Sequence, residues 1–255
     1  DTPVVTLPQT PEANDVIGNT ILALGARSIN AVPYVPPLSP NSERYLAPVQ
    51  EQAGYVAKYP LQVMGSEIVV ETPLVGRHQL RNIALAIGAA AELASQGFTA
   101  VTASTIEAGI RATHWPGRFQ VLPATSQHSE VVFDVAHNPA GAWALRSTLS
   151  TTYDERPLVL VFGAMRDKAI REMAEILFPL ASRVIATHVD NPRAATPAEI
   201  RAAASRVAVD IEDAPDIAAA LPKAFATAGT RGLVVVTGSI YIVGEAMRSL
   251  SARIE

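Results

Sequence analysis

The sequence predicts an α/β fold whose larger part is a mostly parallel, doubly wound sheet of about six strands. Three observations predict it. After Trp115-Pro116-Gly117-Arg118, apolar runs alternate regularly with helical segments, the pattern of strands joined by crossover helices. Nearly half of the 255 residues are hydrophobic, with few aromatics, so Ala, Val, Leu and Ile carry a sizeable core. The apolar run Val131-Val132-Phe133 ends in Asp134, and His137-Asn138-Pro139 follows, which reads as a strand-to-helix junction.

The elements follow in order. Pro3 to Thr6 is predicted as a short buried strand. A helix then runs to about Gly25, with Thr10 as N-cap, Pro11 at the first helical position and Gly25 as the stop. Ala31 to Pro60 is rich in Pro, Ser and Tyr and is expected to be irregular or short β pieces. Val63 to Val70 predicts a hairpin around Gly65-Ser66. A long Ala/Leu/Ile helix is expected from about Arg77 to Ser95, closed near Gly97, and another from about Thr102 to Ala112. Strands are then predicted at Phe119–Leu122, Val131–Asp134, Leu158–Phe162, Arg183–Thr187, Val207–Ile211 and Leu233–Thr237. The helices between and after them are expected at Ala140–Thr151, Ala169–Leu177, Pro197–Arg206, Pro215–Ala228 and Ile240–Ala252. The change of character near Pro116-Gly117 sets an expected domain boundary, giving residues 1–115 and 116–255.

Composition narrows the function. Lys+Arg 20 against Asp+Glu 24 gives a net charge of −4, without the clustered basic charge of nucleic-acid or membrane-surface proteins. No run of 18 apolar residues is present to span a bilayer. The absence of Cys removes disulfides, thiolate metal sites and a Cys nucleophile, and is compatible with a reducing cytosol. The start, Asp1-Thr2-Pro3-Val4-Val5, is neither an initiator Met nor a signal peptide, so the chain reads as cut from something longer. No Walker-type G-x-x-x-x-G-K-[ST] loop, G-x-G-x-x-G turn, G-x-S-x-G elbow or H-E-x-x-H metal spacing occurs.

Candidate chemistry gathers at the strand ends. Asp134, His137 and Asn138 could share the crevice outside a parallel sheet, where open α/β folds bind ligands. The plainer reading is that Asp134 caps the next helix and Asn138 shapes the turn; spacing alone leaves the two about even. Arg118, after the turn-forming Gly117, presents a fork suited to phosphate oxygens, or is an ordinary surface arginine. Gly76-Arg77-His78-Gln79-Leu80-Arg81-Asn82 opens a helix whose His78 and Asn82 share a face that could meet a nucleotide, or is a plain polar first turn. Gly163-Ala164-Met165-Arg166-Asp167-Lys168 is a second sheet-edge loop, in which Asp167 could simply cap a helix. Thr237-Gly238-Ser239 offers backbone N–H groups and a hydroxyl to a carboxylate, with a plain Ser N-cap as the alternative.

Taken together, these segments resemble the folylpolyglutamate synthase/dihydrofolate synthase family of the Mur ligase superfamily. The matching pieces occur in the family's order: Gly76, Gln79 and Asn82; Pro116-Gly117-Arg118; Asp134-x-Ala136-His137-Asn138-Pro139; Gly163 with Asp167-Lys168; Pro192-Arg193-Ala194; and Gly238-Ser239 with Tyr241, Val243, Gly244 and Glu245. Pro3-Val4-Val5 with Gln9 and Glu12 extends the resemblance over nearly the whole chain. It implies a Rossmann-like C-terminal domain over 116–255, preceded over 1–115 by the end of a central ATP-binding domain. It implies a ligase that activates a folate or dihydropteroate carboxylate with ATP as an acyl phosphate, which the glutamate amine then attacks. Asn82 would face the adenine, Arg118 and Asp134 would hold the nucleotide phosphates and ribose, and His137 would sit near the reacting carboxylate or the incoming glutamate. Ser239 would bind a glutamate carboxylate.

The family usually has Gly where this chain has Val135, which adds bulk beside the site but keeps the Asp134-to-His137 spacing. The family's phosphate loop, its magnesium-binding Glu and His and its modified Lys precede the region that begins here. No metal ligand is therefore assigned in this chain, Mg2+ is expected to be held upstream, and the chain is expected to be a fragment with little or no ligase activity alone. The remaining expectations are a cytoplasmic monomer working on ATP, glutamate and a folate or dihydropteroate, with no nucleic acid and no membrane. Two rivals stand: a peptidoglycan-precursor or cyanophycin-type relative, and a non-catalytic ligand-binding module on the same scaffold.

Overall fold

A computed structural model describes residues 2–36, 49–51, 54–153 and 156–251 of the chain. The chain divides into two compact units, Asp1–Gln50 with Val56–His114, and Glu51–Tyr55 with Trp115–Glu255.

In the first unit, β1 (Val4–Thr6) pairs in parallel with β2 (Ser28–Asn30), joined by α1 (Pro11–Ala23). The strand expected at Pro3 to Thr6 is only half-buried, and no residue of α1 is fully buried. A 3-10 turn, Val32–Tyr34, follows, and then β3 (Val49–Glu51), β4 (Gly54–Val63) and β5 (Ser66–Thr72), of which Glu51 in β3 and Gly54 and Tyr55 in β4 fall in the second unit's span. The hairpin is longer than its sequence signal: β4 begins inside the stretch expected to be irregular or short β pieces, whose residues 37–48, 52 and 53 lie outside the described ones. Its two-residue turn is Met64-Gly65 rather than Gly65-Ser66, and both residues have positive φ, as a tight turn between twisted strands requires.

Two helices complete this unit, α2 (Arg77–Ser95) and α3 (Ala103–Arg111), the latter opened by a capping box between Thr102 and Thr105. The Ala/Leu/Ile composition of α2 serves two faces. Leu80, Ile83 and Ile87 pack with Tyr59, Leu61, Val63, Ile68 and Val70 of the hairpin, while Ala84 packs with Leu7 and Ala31 beside β1 and β2.

The second unit carries the expected mostly parallel sheet of six strands: β6 (Gln120–Leu122), β7 (Glu130–Phe133), β8 (Leu158–Phe162), β9 (Arg183–Ala186), β10 (Ile211–Asp213) and β11 (Leu233–Thr237). Their order is β10-β9-β8-β11-β7-β6, and only β6 runs antiparallel to its neighbour. The strand expected over Val207–Ile211 forms later, over Ile211–Asp213, because Ile211 is the first residue in register with β9.

Between the strands run α4 (Pro139–Thr152), α5 (Ile170–Leu177), α6 (Pro197–Ala203), α7 (Ile217–Ala228) and α8 (Ile240–Ser251). Helix α6 ends three residues before the expected Arg206, and the expected last residue of α8, Ala252, lies outside the described ones. Val159, Val161, Val234 and Val236 face α7 and α8 in one apolar cluster with Ile217, Leu221, Ile242 and Ala246. The alternating positions Leu158, Leu160 and Phe162 face the other way, and the Phe162 ring meets Phe178, just after α5, edge-on at 5.2 Å. Both faces of β8 and β11 are therefore covered, and every residue of these two strands is buried.

Candidate functional site

Parallel pairing brings the carboxyl ends of β7, β8, β9 and β11 to one edge of the sheet. Strand order reverses there: the chain steps from β7 over to β8, moves outward to β10, and returns to lay β11 between β7 and β8. Such a reversal opens a crevice at the strand ends. The loops leaving those ends are tied to one another. The Gly163 N–H donates to the Thr237 carbonyl at 3.3 Å, Thr187 to Phe162 at 2.9 Å, and Asp134 to Val236 at 3.1 Å. Gly238 has φ +103°, and a Cβ there would lie 2.5 Å from the Gly163 carbonyl oxygen, so no side chain fits between β8 and β11 at this point.

The loops after β8 and β9 are clasped reciprocally. The Arg166 N–H donates to the Arg193 carbonyl at 2.8 Å, and Arg166 Nη1 donates to the Pro192 carbonyl at 2.7 Å. Arg166 Nε reaches Glu199 Oε1 at 3.0 Å, and Arg193 Nη2 reaches Asp167 Oδ1 at 2.9 Å. Asp167 therefore does not cap α5, whose N-cap is Ala169 without a side-chain bond. It holds Lys168 Nζ at 3.0 Å as well as Arg193, and these two cations keep its carboxyl down at about 2.

A cavity of about 260 Å³ opens at this edge, and Arg118, His137, Lys168, Arg193, Ser239 and Tyr241 are among its lining residues. Three cationic side chains thus face one space, with Asp167 as the counter-charge to two of them. That balance favours an anionic ligand. The Arg118 guanidinium rests 5.7 Å from the centre of the Trp115 ring, a cation–π contact. His137 Nδ1 lies 3.0 Å from the Val135 carbonyl oxygen. A carbonyl only accepts, so Nδ1 carries the proton and Nε2 is the nitrogen left for a ligand. Ser239 is 3% exposed, and its Oγ accepts the Tyr241 N–H at 3.2 Å, capping α8 while its own hydroxyl proton stays available.

Asp134 stands behind these groups. It is 7% exposed, with Oδ2 accepting the Phe119 N–H at 3.0 Å and Oδ1 the Ala136 N–H at 2.9 Å. Burial pushes its carboxyl up to about 6 from the ordinary 3.8, against the pull of those two N–H groups and of Arg118. Asp134 does not cap α4. Asn138 does, its Oδ1 accepting the Gly141 N–H at 2.8 Å, with Pro139 at the first helical position.

Of the residues singled out in the sequence, Arg118, His137 and Ser239 meet around the cavity, and Asp134, just after β7, has both oxygens bonded to backbone. Asn82 belongs to the first unit, exposed on α2, with its Nδ2 donating to Gln79 Oε1 at 3.0 Å. Sequence reasoning gave no role to Lys168, Arg193 or Tyr241. Their signal was membership of the quoted motifs Asp167-Lys168, Pro192-Arg193-Ala194 and Gly238-Ser239 with Tyr241, in loops that follow parallel strands. Among the described residues, no three His, Cys, Asp or Glu side chains stand together to hold a metal ion. No described helix is long and apolar enough to cross a membrane.

Residues 117–240 match the family described as Mur ligase, glutamate ligase domain. A probable bifunctional folylpolyglutamate synthase/dihydropteroate synthase of Halobacterium salinarum is 33% identical over 266 residues, covering 93% of this chain and 31% of that protein. A dihydrofolate synthase/folylpolyglutamate synthase of Mycobacterium tuberculosis is 32% identical over 197 residues, covering 71% of this chain and 40% of that protein. The chain belongs to the folylpolyglutamate synthase/dihydrofolate synthase family of the Mur ligase superfamily. Its fold agrees: the structure of Mycobacterium tuberculosis folylpolyglutamate synthase complexed with ADP superposes with a TM-score of 0.78 at 26% identity, over 96% of this chain and 54% of that one. This family member therefore spans about half the length of that solved relative, and less of the two curated ones.

Proposed function

We propose that this chain is part of an ATP-dependent ligase that adds L-glutamate to a folate or dihydropteroate carboxylate through an acyl phosphate. In this reading, residues 1–115 are the C-terminal portion of the central ATP-binding domain and 116–255 the glutamate ligase domain. One observation carries it: in a chain of this family, Arg118, Lys168 and Arg193 converge on one cavity with His137 and Ser239. Phosphorylating a carboxylate and then releasing phosphate concentrates negative charge on few oxygens. Fixed cations and N–H donors aimed at that charge are what lower such a barrier.

Within that reading, Arg118 and Asp134 serve the nucleotide, and Asn82 faces the adenine. Lys168 and Arg193 meet anionic oxygens, and Ser239 donates its hydroxyl to a glutamate carboxylate. His137, its Nδ1 proton held by the Val135 carbonyl, presents Nε2 to the reacting carboxylate or to the amine that attacks it. The expected divalent metal finds no three-ligand group among the described residues, so no step here is assigned to it. The protein acts in the cytoplasm as a monomer on small molecules.

The test is phosphate release by the full-length protein containing this chain, supplied with ATP, glutamate and either dihydropteroate or tetrahydrofolate. Release is expected only when both glutamate and the pterin substrate are present, and His137→Ala is expected to lower it by about a hundredfold or more. Release without either substrate, or a folded His137→Ala protein at full rate, overturns the assignment.

A further inference from the structure

Arg166 holds both peptide units that flank Arg193, a lining residue of the cavity. The loops after β8 and β9 meet as a short antiparallel bridge, Met165 against Ala194. The Arg166 N–H donates to the Arg193 carbonyl at 2.8 Å, and the Ala195 N–H returns a bond to the Ala164 carbonyl at 2.9 Å. The Arg166 side chain reaches one peptide further back, where Nη1 donates to the Pro192 carbonyl at 2.7 Å. That carbonyl belongs to the peptide unit before the Arg193 Cα, and the Arg193 carbonyl to the unit after it. Peptide units are planar, so fixing both leaves Arg193 little freedom in φ and ψ and sets the direction in which its side chain leaves the backbone. Met165, Lys168 and Arg193 line the cavity, and Arg166 between them does not.

What aims Arg166 is Glu199, in the first turn of α6. Arg166 Nε donates to Glu199 Oε1 at 3.0 Å and lies 3.2 Å from Oε2. The guanidinium is a rigid plane, so a carboxylate on Nε also fixes where Nη1 points. Glu199 is held in turn by Thr196, whose N–H and hydroxyl both donate to Oε2, at 2.7 and 2.9 Å. Arg166 first, and then these two donors, keep the Glu199 carboxyl down at about 2, so it is ionised at neutral pH. An exposed ion pair on its own contributes little; this one orients a charge-assisted bond to backbone. We propose that Glu199 is a positioning residue, which through Arg166 fixes the peptide units around Arg193 and so sets where that cation stands at the cavity. The inference rests on the reading above in which Arg193 meets anionic oxygens of a substrate.

The test uses the full-length protein and Glu199→Gln. A glutamine that keeps its oxygen on Thr196 turns an amide NH2 toward Arg166, so α6 stays capped while the hold on the guanidinium is lost. KM for ATP, for glutamate and for the folate substrate is measured for this variant, for Arg193→Ala and for the double variant. Arg193→Ala is expected to raise KM about tenfold or more for one of the three, as loss of a hydrogen bond to a charged group does. Glu199→Gln is expected to raise KM for that same substrate by about threefold to tenfold, and the double variant to stay within about twofold of Arg193→Ala. Thr196→Ala, which removes the cap and leaves Glu199 facing Arg166, is expected to lower Tm and leave every KM unchanged. An unchanged KM in Glu199→Gln, a rise for a different substrate, a double variant whose rise is the product of the two singles, or an equal rise in Thr196→Ala overturns the positioning role. If Arg193→Ala moves no KM, the reading of Arg193 fails and the role falls with it. Exchange of the Arg166 amide then still judges the clasp itself: it is expected to run about threefold faster or more in Glu199→Gln, and an unchanged rate rules the clasp out.

Discussion

Replacing Gly238 by alanine tests how closely the site is built. The new Cβ would stand 2.5 Å from the Gly163 carbonyl oxygen and 2.9 Å and 3.1 Å from two atoms of the Phe162 ring. Neither neighbour can retreat. The Gly163 backbone is tied to Thr237, and any movement of that residue meets the Thr187 carbonyl and Ile242, which lie within 2.6 Å of where its own Cβ would be. Phe162 is fully buried against Phe178. The conformation adds to the clash, because φ is +103°. Backbone strain of about 1–3 kcal/mol and overpacking of about 1–3 kcal/mol sum to roughly 4 kcal/mol. For a unit of this size that is a loss of about 8–16 °C in Tm. The assay is thermal unfolding by circular dichroism, with Gly244→Ala as control. Gly244 lies within α8, where a Cβ meets nothing nearer than Arg248 Nη1 at 3.7 Å, so alanine there should stabilise by about 0.5–1 kcal/mol. A Gly238→Ala protein melting within 2 °C of the wild type, by the same scale, would refute the close-approach argument, as would equal losses at the two positions.

Asn138→Ala removes the cap of α4 and should cost about 1 kcal/mol in urea unfolding, with Asn138→Asp nearly neutral. Asp134 gives a pH signature. Its folded carboxyl is raised from 3.8 to about 6, so the folded state binds that proton more tightly than the unfolded chain does. The associated stability is fully present below pH 4 and is lost as pH rises through about 6, by about 3 kcal/mol in all. Asp167 and Glu199, held at about 2, run the opposite way, losing stability as pH falls. The difference between wild type and Asp134→Asn, measured by denaturant unfolding at pH 4, 5, 6 and 7, isolates the Asp134 contribution. A flat difference would show that its carboxyl titrates as in the unfolded chain.

The second unit was readable because its central strands β8 and β11 are almost wholly apolar runs, and α4 and α6 begin on strong caps, Asn138-Pro139 and Thr196-Pro197. Where the signal was weak, the physical reason is local. Val207 and Val209 look like strand residues, yet pairing with β9 starts only at Ile211, because register is fixed by the partner rather than by propensity. The long β4 was hidden by Pro60, which β4 accommodates opposite Val69. His137 and Ser239 were legible as polar residues at strand-to-helix junctions, and Arg118 as a guanidinium just after the turn-forming Gly117. Lys168 and Arg193 were not given roles, because sequence cannot show that Asp167 gathers both, from loops after different strands, at one cavity. Likewise, nothing in the order of residues says that Asp134 bonds the amide of a residue fifteen positions earlier.

The placement of β11 has a consequence for how this unit comes into being. Before residues 233–237 arrive, β7 has only β6 beside it, and β8 has only β9. Two separate ribbons wait with open inner edges, Val131–Phe133 on one and Leu158–Phe162 on the other, all apolar. On a ribosome the last strand is still unmade or in the tunnel while those edges are exposed. Such edges invite pairing with another chain. The segment that completes the sheet is also the one that delivers Gly238 and Ser239, so the unit cannot close its core without assembling its cavity in the same event.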